Sequence, residues 1–387
     1  GTGGGGGAGT GGGAGAGTGG GSGAGGGGAG AGGAGNGGAG TGGGGAGGTG
    51  GAAGGVPFPD FHLPGTQAGT LDAYKFLSST ECKMCHAASA AAPHSTWKGS
   101  LMGLAGRDPL FFAQMTTANQ DVPGVGYYCQ RCHEPMSFVT GTAFDPTGKS
   151  MGAPEKEGVT CHLCHSLVDP KPDPKAPPTD AAILAALPEV PQYYGNAMMV
   201  IDPSALRRGP YTDAAPPHPA TASPFVKRSD MCGTCHDVGN PAVSRMPDGS
   251  YAYNAFGEPA KNMDPQAQFP LERTYTEWKL SAFASGGVDM GGKFGGDGVS
   301  VVSTCQDCHM PKTKAMGCVD GPERPDLAKH EFAGASAWVI DIIGKYAAGD
   351  PAVDPVAIEA GKAAAISMLQ RSATVDATVQ AGKLQVR

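Results

Sequence analysis

The chain has 387 residues, a formal net charge of −7 and only 16% charged residues, with 68 Gly and 32 Pro. The mild negative charge gives no reason to expect a nucleic-acid partner. No apolar run approaches the roughly 20 residues that cross a bilayer, so no membrane span is expected. There is no starting Met and no secretory apolar stretch, so the sequence reads as the mature form of an exported protein.

Residues 1–55 are nearly all Gly, Ala and Thr. Gly-rich chains commonly behave as flexible coils. Two ordered forms compete with that reading. Polyglycine II is an extended threefold helix rising ~3.1 Å per residue, which would draw the tract out to roughly 170 Å. It has no internal hydrogen bonds, so it needs parallel neighbours to satisfy its N–H and C=O groups. A silk-like strand is the other form. Ala14, Ala16 and Thr18 share one parity, as do Ala29 and Ala31, but the parity slips at Ala34 and Asn36. No register keeps Gly at every third position, which excludes collagen. The polyglycine helix is preferred, as a tract ordered by neighbouring copies.

Residues 56–345 form the second region. A Pro-rich extended arm over residues 56–64 holds His62. The first of five C-x-x-C-H motifs follows, Cys82-Lys83-Met84-Cys85-His86, and after it His94 and a Trp97-x-x-Ser100 pattern ending near Met102. The second motif is Cys129-Gln130-Arg131-Cys132-His133, and the third is Cys161-His162-Leu163-Cys164-His165. Residues 169–178 read as a Pro-rich loop, and residues 179–187 as a short capped helix. Residues 202–228 are expected to be irregular and carry His218. The fourth motif is Cys232-Gly233-Thr234-Cys235-His236. Residues 240–273 look like another long connection, followed by Trp278-x-x-Ser281. Each Trp pattern is expected to begin a short helix. Residues 286–298 read as loop. The fifth motif is Cys305-Gln306-Asp307-Cys308-His309, with His330 beyond it. In the third region, 346–387, residues 355–370 have helical character. Residues 373–379 and 383–387 alternate like two strands around Gly382.

C-x-x-C-H is the attachment signature of c-type haem. Two thiols three residues apart form thioethers to the two vinyl groups of one porphyrin, and the histidine becomes the proximal ligand of the iron. Zinc ribbons use paired C-x-x-C without an obligatory His, and redox dithiols come singly. Five motifs therefore point to five covalent haems c. The fold class expected is irregular coil with short helices wrapped around these haems. Of ten histidines, His86, His133, His165, His236 and His309 are proximal. The remaining five, His62, His94, His162, His218 and His330, match five distal positions, so bis-His ligation is expected throughout. Met102 is the competing ligand. His162 sits inside a motif and is expected to cap a neighbouring iron. Cys318, the eleventh cysteine, has no partner left and is expected to be a buried free thiol, with an intersubunit disulfide as the alternative.

With these motifs the chain resembles secreted multihaem c-type cytochromes, including subunits of extracellular polymeric cytochromes. The matching pieces are CQRCHEP at 129–135, EGVTCHLCH at 157–165, CGTCHD at 232–237, TYTEWKLS at 274–281 and CQDCHMPK at 305–312, with HEFAG at 330–334. In such proteins the W-x-x-S element often precedes a ligating His by two residues. Here those positions are Met102 and Phe283, which promotes His94 as distal ligand of the first haem. Relatives often continue past an LQVR-like strand into a β-rich region, so trimming or strand donation is expected at this end.

The resemblance implies extracellular or cell-surface electron transfer, with redox proteins or extracellular acceptors as partners. The leading reading is a filament of copies of this chain with continuous haems, bundled through the Gly tract. The alternative is a single carrier with a flexible tail. An enzyme such as a multihaem nitrite or hydroxylamine oxidoreductase is the third reading. The C-x-x-C-K motif typical of pentahaem nitrite reductases does not occur, so no enzymatic activity is expected.

Overall fold

The computed structural model describes residues 63–142, 145–152, 155–171, 173–255 and 260–386. The expectations for the Gly-rich tract and for His62 lie outside these residues. The chain separates into two units, Gly1–Ala52 and Ala53–Arg387, and everything below concerns the second.

Twelve α-helices are found among the described residues, and most are short. They are α1 (Ser79–His86), α2 (Pro93–Trp97), α3 (Pro109–Asp121), α4 (Gly126–His133), α5 (Pro135–Thr140) and α6 (Cys161–Cys164). Then come α7 (Asp180–Ala185), α8 (Ser229–Gly233), α9 (Thr274–Lys279), α10 (Cys305–His309), α11 (Ala337–Tyr346) and α12 (Pro355–Ser372). All five C-x-x-C-H motifs begin on a helix. Capping explains several starts. The Asp108 carboxylate accepts from the Leu110 N–H ahead of α3, and Asp354 accepts from Val356 ahead of α12. Both helices carry Pro at their first position, where its missing N–H costs nothing. Ahead of α10, Thr304 and Asp307 exchange side-chain-to-backbone bonds as a capping box.

The strands are shorter still. β1 (Leu167–Val168) pairs with β2 (Val200–Ile201), and β3 (Arg207–Gly209) runs parallel to β4 (Ala220–Ala222). β5 (Val238–Arg245) lies between β6 (Tyr251–Tyr253) and β7 (Gln268–Glu272). β8 (Val288–Asp289) pairs with β9 (Val301–Val302), β10 (Lys312–Met316) with β11 (Glu323–Ala328), and β12 (Ala377–Gln380) with β13 (Lys383–Val386). Two connections expected to be irregular are therefore partly ordered. Residues 202–228 contain the parallel pair, and residues 240–273 contain the three-stranded sheet. Among the described residues no helix is long and apolar enough to cross a membrane.

Three apolar clusters hold the elements. The largest gathers Tyr127, Phe138, Leu163, Leu167, Met199, Ile201, Phe225 and Tyr275, with Cys132, Cys235 and Trp278 against it. The second joins Leu104 to Val339, Ile340 and Ile343 of α11 and to Ile358 and Ala365 of α12. The third contains Phe294, Val302, Ala333 and Met368. Helix α12 thus belongs to the main body, and the expected boundary at residue 346 falls inside its packing. Two glycines allow the close approach. A Cβ at Gly99 would lie 2.1 Å from the Ala357 carbonyl oxygen, and one at Gly361 would lie 1.9 Å from that of Gly99.

Candidate functional site

On a helical turn, residues i and i+3 lie on one face. In four of the motifs both cysteines lie on the helix, three residues apart; in the fourth motif, Cys235 lies just past the end of α8. All eleven cysteines are free, so ten thiols stand available in five pairs. Among the described residues no group of three or more His, Cys, Asp or Glu forms a metal cage. The cysteines are not arranged as a four-ligand zinc site.

The motifs lie beside one another in pairs. The Cys82 thiol of the first and the Cys161 thiol of the third shift each other's proton affinity. Cys235 of the fourth does so to Cys132 of the second, as do Cys232 of the fourth and Cys305 of the fifth to each other. Within these pairs the protons are unequally held. The Cys161 bond lowers the Cys82 thiol and raises its partner, and the Cys232 bond lowers Cys305 in the same way. Burial pushes Cys164 up to about 12. The fourth motif touches two others with its two different cysteines, so it stands at a junction.

Two of these pairings are built alike. The Cys161 N–H donates to Ser79 Oγ at 3.4 Å, and the Cys305 N–H donates to Ser229 Oγ at 3.0 Å. Ser79 and Ser229 each precede the first cysteine of their motif by three positions. Thr160 and Thr304 each cap the partner helix. Trp97 Nε1 donates to the Val159 carbonyl at 2.9 Å, and Trp278 Nε1 to that of Ser303 at 2.7 Å. Ser100 and Ser281 donate back to the carbonyls of these tryptophans. The tryptophans thus sit in or at the end of the last turn of α2 and α9 rather than at the start, and tie these helices to the segments leading into the third and fifth motifs. The recurrence of S-x-x-C-x-x-C-H and T-C-x-x-C-H was the sequence signal for this repeated unit, and motif counting alone passes over it.

Three proximal histidines are oriented by backbone. The Nδ1 of His86 is 3.0 Å from the Gly317 carbonyl, that of His165 is 2.6 Å from Arg208, and that of His309 is 2.7 Å from Ala333. Donation from Nδ1 fixes the tautomer that leaves Nε2 unprotonated for iron. Arg208 also donates its N–H to the His165 carbonyl at 2.6 Å. Its guanidinium is fully buried between Asp180 at 2.5 Å and Asp202 at 2.9 Å. Sequence reading missed this arginine, because only the parallel pairing of β3 brings it to the third motif. The Cys318 segment clamps the first motif: Gly317 accepts from His86, and the Val319 N–H donates to the Cys85 carbonyl. Cys318 itself is half-buried rather than buried.

The spare histidines divide. The rings of His165 and His330 have centroids 6.3 Å apart and planes 23° apart. Two imidazoles on opposite sides of one iron, each bonded at about 2 Å, have about this separation. His94 is buried, and its Nδ1 finds no hydrogen-bond partner in the protein. Burial and the neighbouring lysines lower its pKa to about 4, so it is a neutral nitrogen donor close to His86. His218 also lies near His86. His162 is held differently. Its Nδ1 accepts from the Leu77 N–H at 2.8 Å and its Nε2 donates to the Ala205 carbonyl at 3.1 Å. Both nitrogens are engaged, so His162 here is a buried tie between three segments.

No protein-family model matches this chain, and no curated protein or solved structure is similar to it.

Proposed function

We propose that this chain is a multihaem electron-transfer protein carrying five covalent haems c. Bound haem supplies a one-electron Fe(III)/Fe(II) couple. The chain's own residues do the rest. The cysteine pairs of α1, α4, α6 and α10, and Cys232 of α8 with Cys235 just beyond it, supply the attachment points. His86, His133, His165, His236 and His309 supply proximal nitrogens, and His94 and His330 supply distal ones. The observation that carries the reading is the packing of motifs against one another: the Cys161 N–H donates to Ser79 of the first motif's helix, the Cys305 N–H donates to Ser229 of the fourth motif's helix, and Cys132 and Cys235 pack against one apolar cluster. Motifs packed this closely would bring neighbouring haems within range of electron exchange. The order that follows is first motif to third, third to fourth through the proximity of Cys164 and Cys232, and fourth to both second and fifth.

Intact mass of the denatured protein should exceed the polypeptide by five haems. A surplus of four or fewer means an unused motif, and no surplus sinks the proposal.

A filament of copies of this chain is the proposed assembly, and β12 and β13 support it. Their cross-strand pairs Ala377–Val386 and Val379–Leu384 are apolar, while Thr378–Gln385 and Gln380–Lys383 are polar. Every described residue of both strands is exposed. Such a face needs a cover, and a second copy supplies one through the exposed Tyr251, Tyr253, Phe269 and Leu271 of β6 and β7. A single carrier remains the alternative outcome.

A further inference from the structure

Beside the cysteine motifs, a row of aromatic rings is joined to a shared ion pair. Tyr194 and Tyr275 are buried, at 7% and 5% exposure, with ring centroids 6.1 Å apart. Trp278 stacks on Tyr275 at 5.5 Å and 28°, and is only half-buried. The Tyr275 ring lies against Gly233, where a Cβ would come within 2.6 Å of it. The row thus leads from a partly exposed indole to two covered phenols.

Each phenol has its own carboxylate. Tyr275 donates to Asp230 Oδ1 at 2.6 Å, and Tyr194 donates to Asp169 Oδ1 at 2.8 Å. Arg228 lies between the two acids and binds the other oxygen of each, Asp230 Oδ2 at 2.9 Å and Asp169 Oδ2 at 2.7 Å. Its charge offsets theirs, and one carboxylate still balances it when the other is neutralised. Phenylalanine at both positions would fill the same space without the cost of covering polar groups. What the phenols add is a one-electron donor, and what the carboxylates add is a place for the proton. A phenol that loses an electron becomes strongly acidic, and a buried one has no bulk water to take its proton.

We propose that Trp278, Tyr275 and Tyr194 form a proton-coupled relay that takes up oxidising equivalents from strong one-electron oxidants, such as oxygen-derived radicals. The oxidant removes one electron from the Trp278 indole and is itself reduced by one. Tyr275 returns an electron to the indole across the ring contact. Its phenolic proton moves to Asp230, leaving a neutral tyrosyl radical beside a neutral acid. Tyr194 then reduces Tyr275: the Tyr194 proton goes to Asp169, and Asp230 gives its proton back to Tyr275. The oxidising equivalent ends on Tyr194. None of these steps uses haem, so the relay stands or falls apart from the electron-transfer reading.

The test uses the full chain as isolated, oxidised by flash-generated tris(bipyridine)ruthenium(III) and freeze-trapped for electron paramagnetic resonance. Wild-type protein should hold a tyrosyl radical that outlasts those of exposed tyrosines and whose phenolic oxygen bears a hydrogen-bonded, exchangeable proton. Tyr194→Phe combined with Tyr275→Phe should lose this signal. Tyr211→Phe, at the more exposed phenol beside Asp326, should keep it. If the double variant does not fold, Tyr194→Phe alone should move the radical to Tyr275, seen as a changed proton coupling. A wild-type chain without such a radical overturns the proposal, and this is the result expected of a cluster that only packs. A signal that survives the double variant, that is unchanged in Tyr194→Phe, or that is lost in Tyr211→Phe overturns it as well.

Discussion

At the scale of single residues, a histidine in this chain is a ligand or a strut according to what its two nitrogens meet. His162 and His94 are both buried, but His162 has two backbone partners and His94 has a nitrogen with none. His162→Ala should therefore leave the number of low-spin centres unchanged while destabilising the fold. Leu77 N–H and Ala205 carbonyl lose their partner, at a cost of about 1–3 kcal/mol. A denaturant titration beside the ferric spectrum checks both halves. A new high-spin centre would restore His162 to the ligand set. Arg208 acts more strongly. Arg208→Met strands Asp180 and Asp202, and breaking a buried ion pair from one side costs about 3–5 kcal/mol. If the third motif carries the proposed haem, the loss in unfolding free energy should come with a change in its spectrum, since the Arg208 backbone orients His165. The motif cysteines and histidines stand out in the sequence by their spacing, and the structure shows only that each motif begins on a short helix. The distinction between His94 and His162 was not legible there, because it depends on Leu77 and Ala205, which lie far from residue 162 in sequence.

At the scale of elements, the helices that sequence indicates best are those with caps of their own. The expected helix over residues 355–370 is found as α12, with Asp354 and Pro355 starting it. The strands over residues 240–273 were not legible, because Pro, Gly and Asn punctuate them. Their pairing is fixed by Arg273, which donates to the carbonyls of Pro265, Gln268 and Val238 and bonds Asp237 at 3.1 Å. Helix α12 also carries a pH dependence. Lys98 Nζ lies 2.5 Å from Asp354, and this bond, with the helix N–H groups, holds the carboxyl below its usual 3.8. A depressed carboxyl pKa means the unfolded state binds more protons, so stability rises with pH through this window. The contribution is complete above the unfolded value and is lost as pH falls through the folded one. Hydrogen exchange should show α12 losing protection below about pH 4 before the β5 sheet does. Asp354→Asn keeps the cap, since Asn caps as well as Asp, and should remove that pH dependence. An α12 whose protection is flat in acid, or equally pH-dependent in the variant, would show that the ion pair does not set its anchoring.

At the scale of the whole molecule, the sequence suggested a linear wire, whereas the fourth motif lies against both the second and the fifth. Motif order along the chain could not reveal that, because the second motif is inserted between two that pair with each other. The two ends of the chain are where assembly would be decided. Residues 1–55 carry no side chains able to build a core. The β12–β13 hairpin turns through Ala381 and Gly382, both at positive φ of 49° and 73°, as a two-residue hairpin of this hand requires. A two-stranded ribbon is marginal in water by itself, and this one exposes Val379 at 72%, Leu384 at 68% and Val386 at 60%. Leaving those side chains in water forgoes roughly 1.5–3 kcal/mol for each one fully covered, which favours a partner over solvent. If a second copy is that partner, a chain ending at Ser372 should run as a monomer in sedimentation at concentrations where the full chain associates, with its five haems intact. Val379→Lys together with Leu384→Lys should do the same without shortening the chain, since both place charge on the apolar face. Deleting residues 1–55 should leave the association and remove lateral bundling. Full-length protein that stays monomeric at high concentration would end the filament reading and leave the single carrier. Association that survives both hairpin changes would place the joint elsewhere on the molecule.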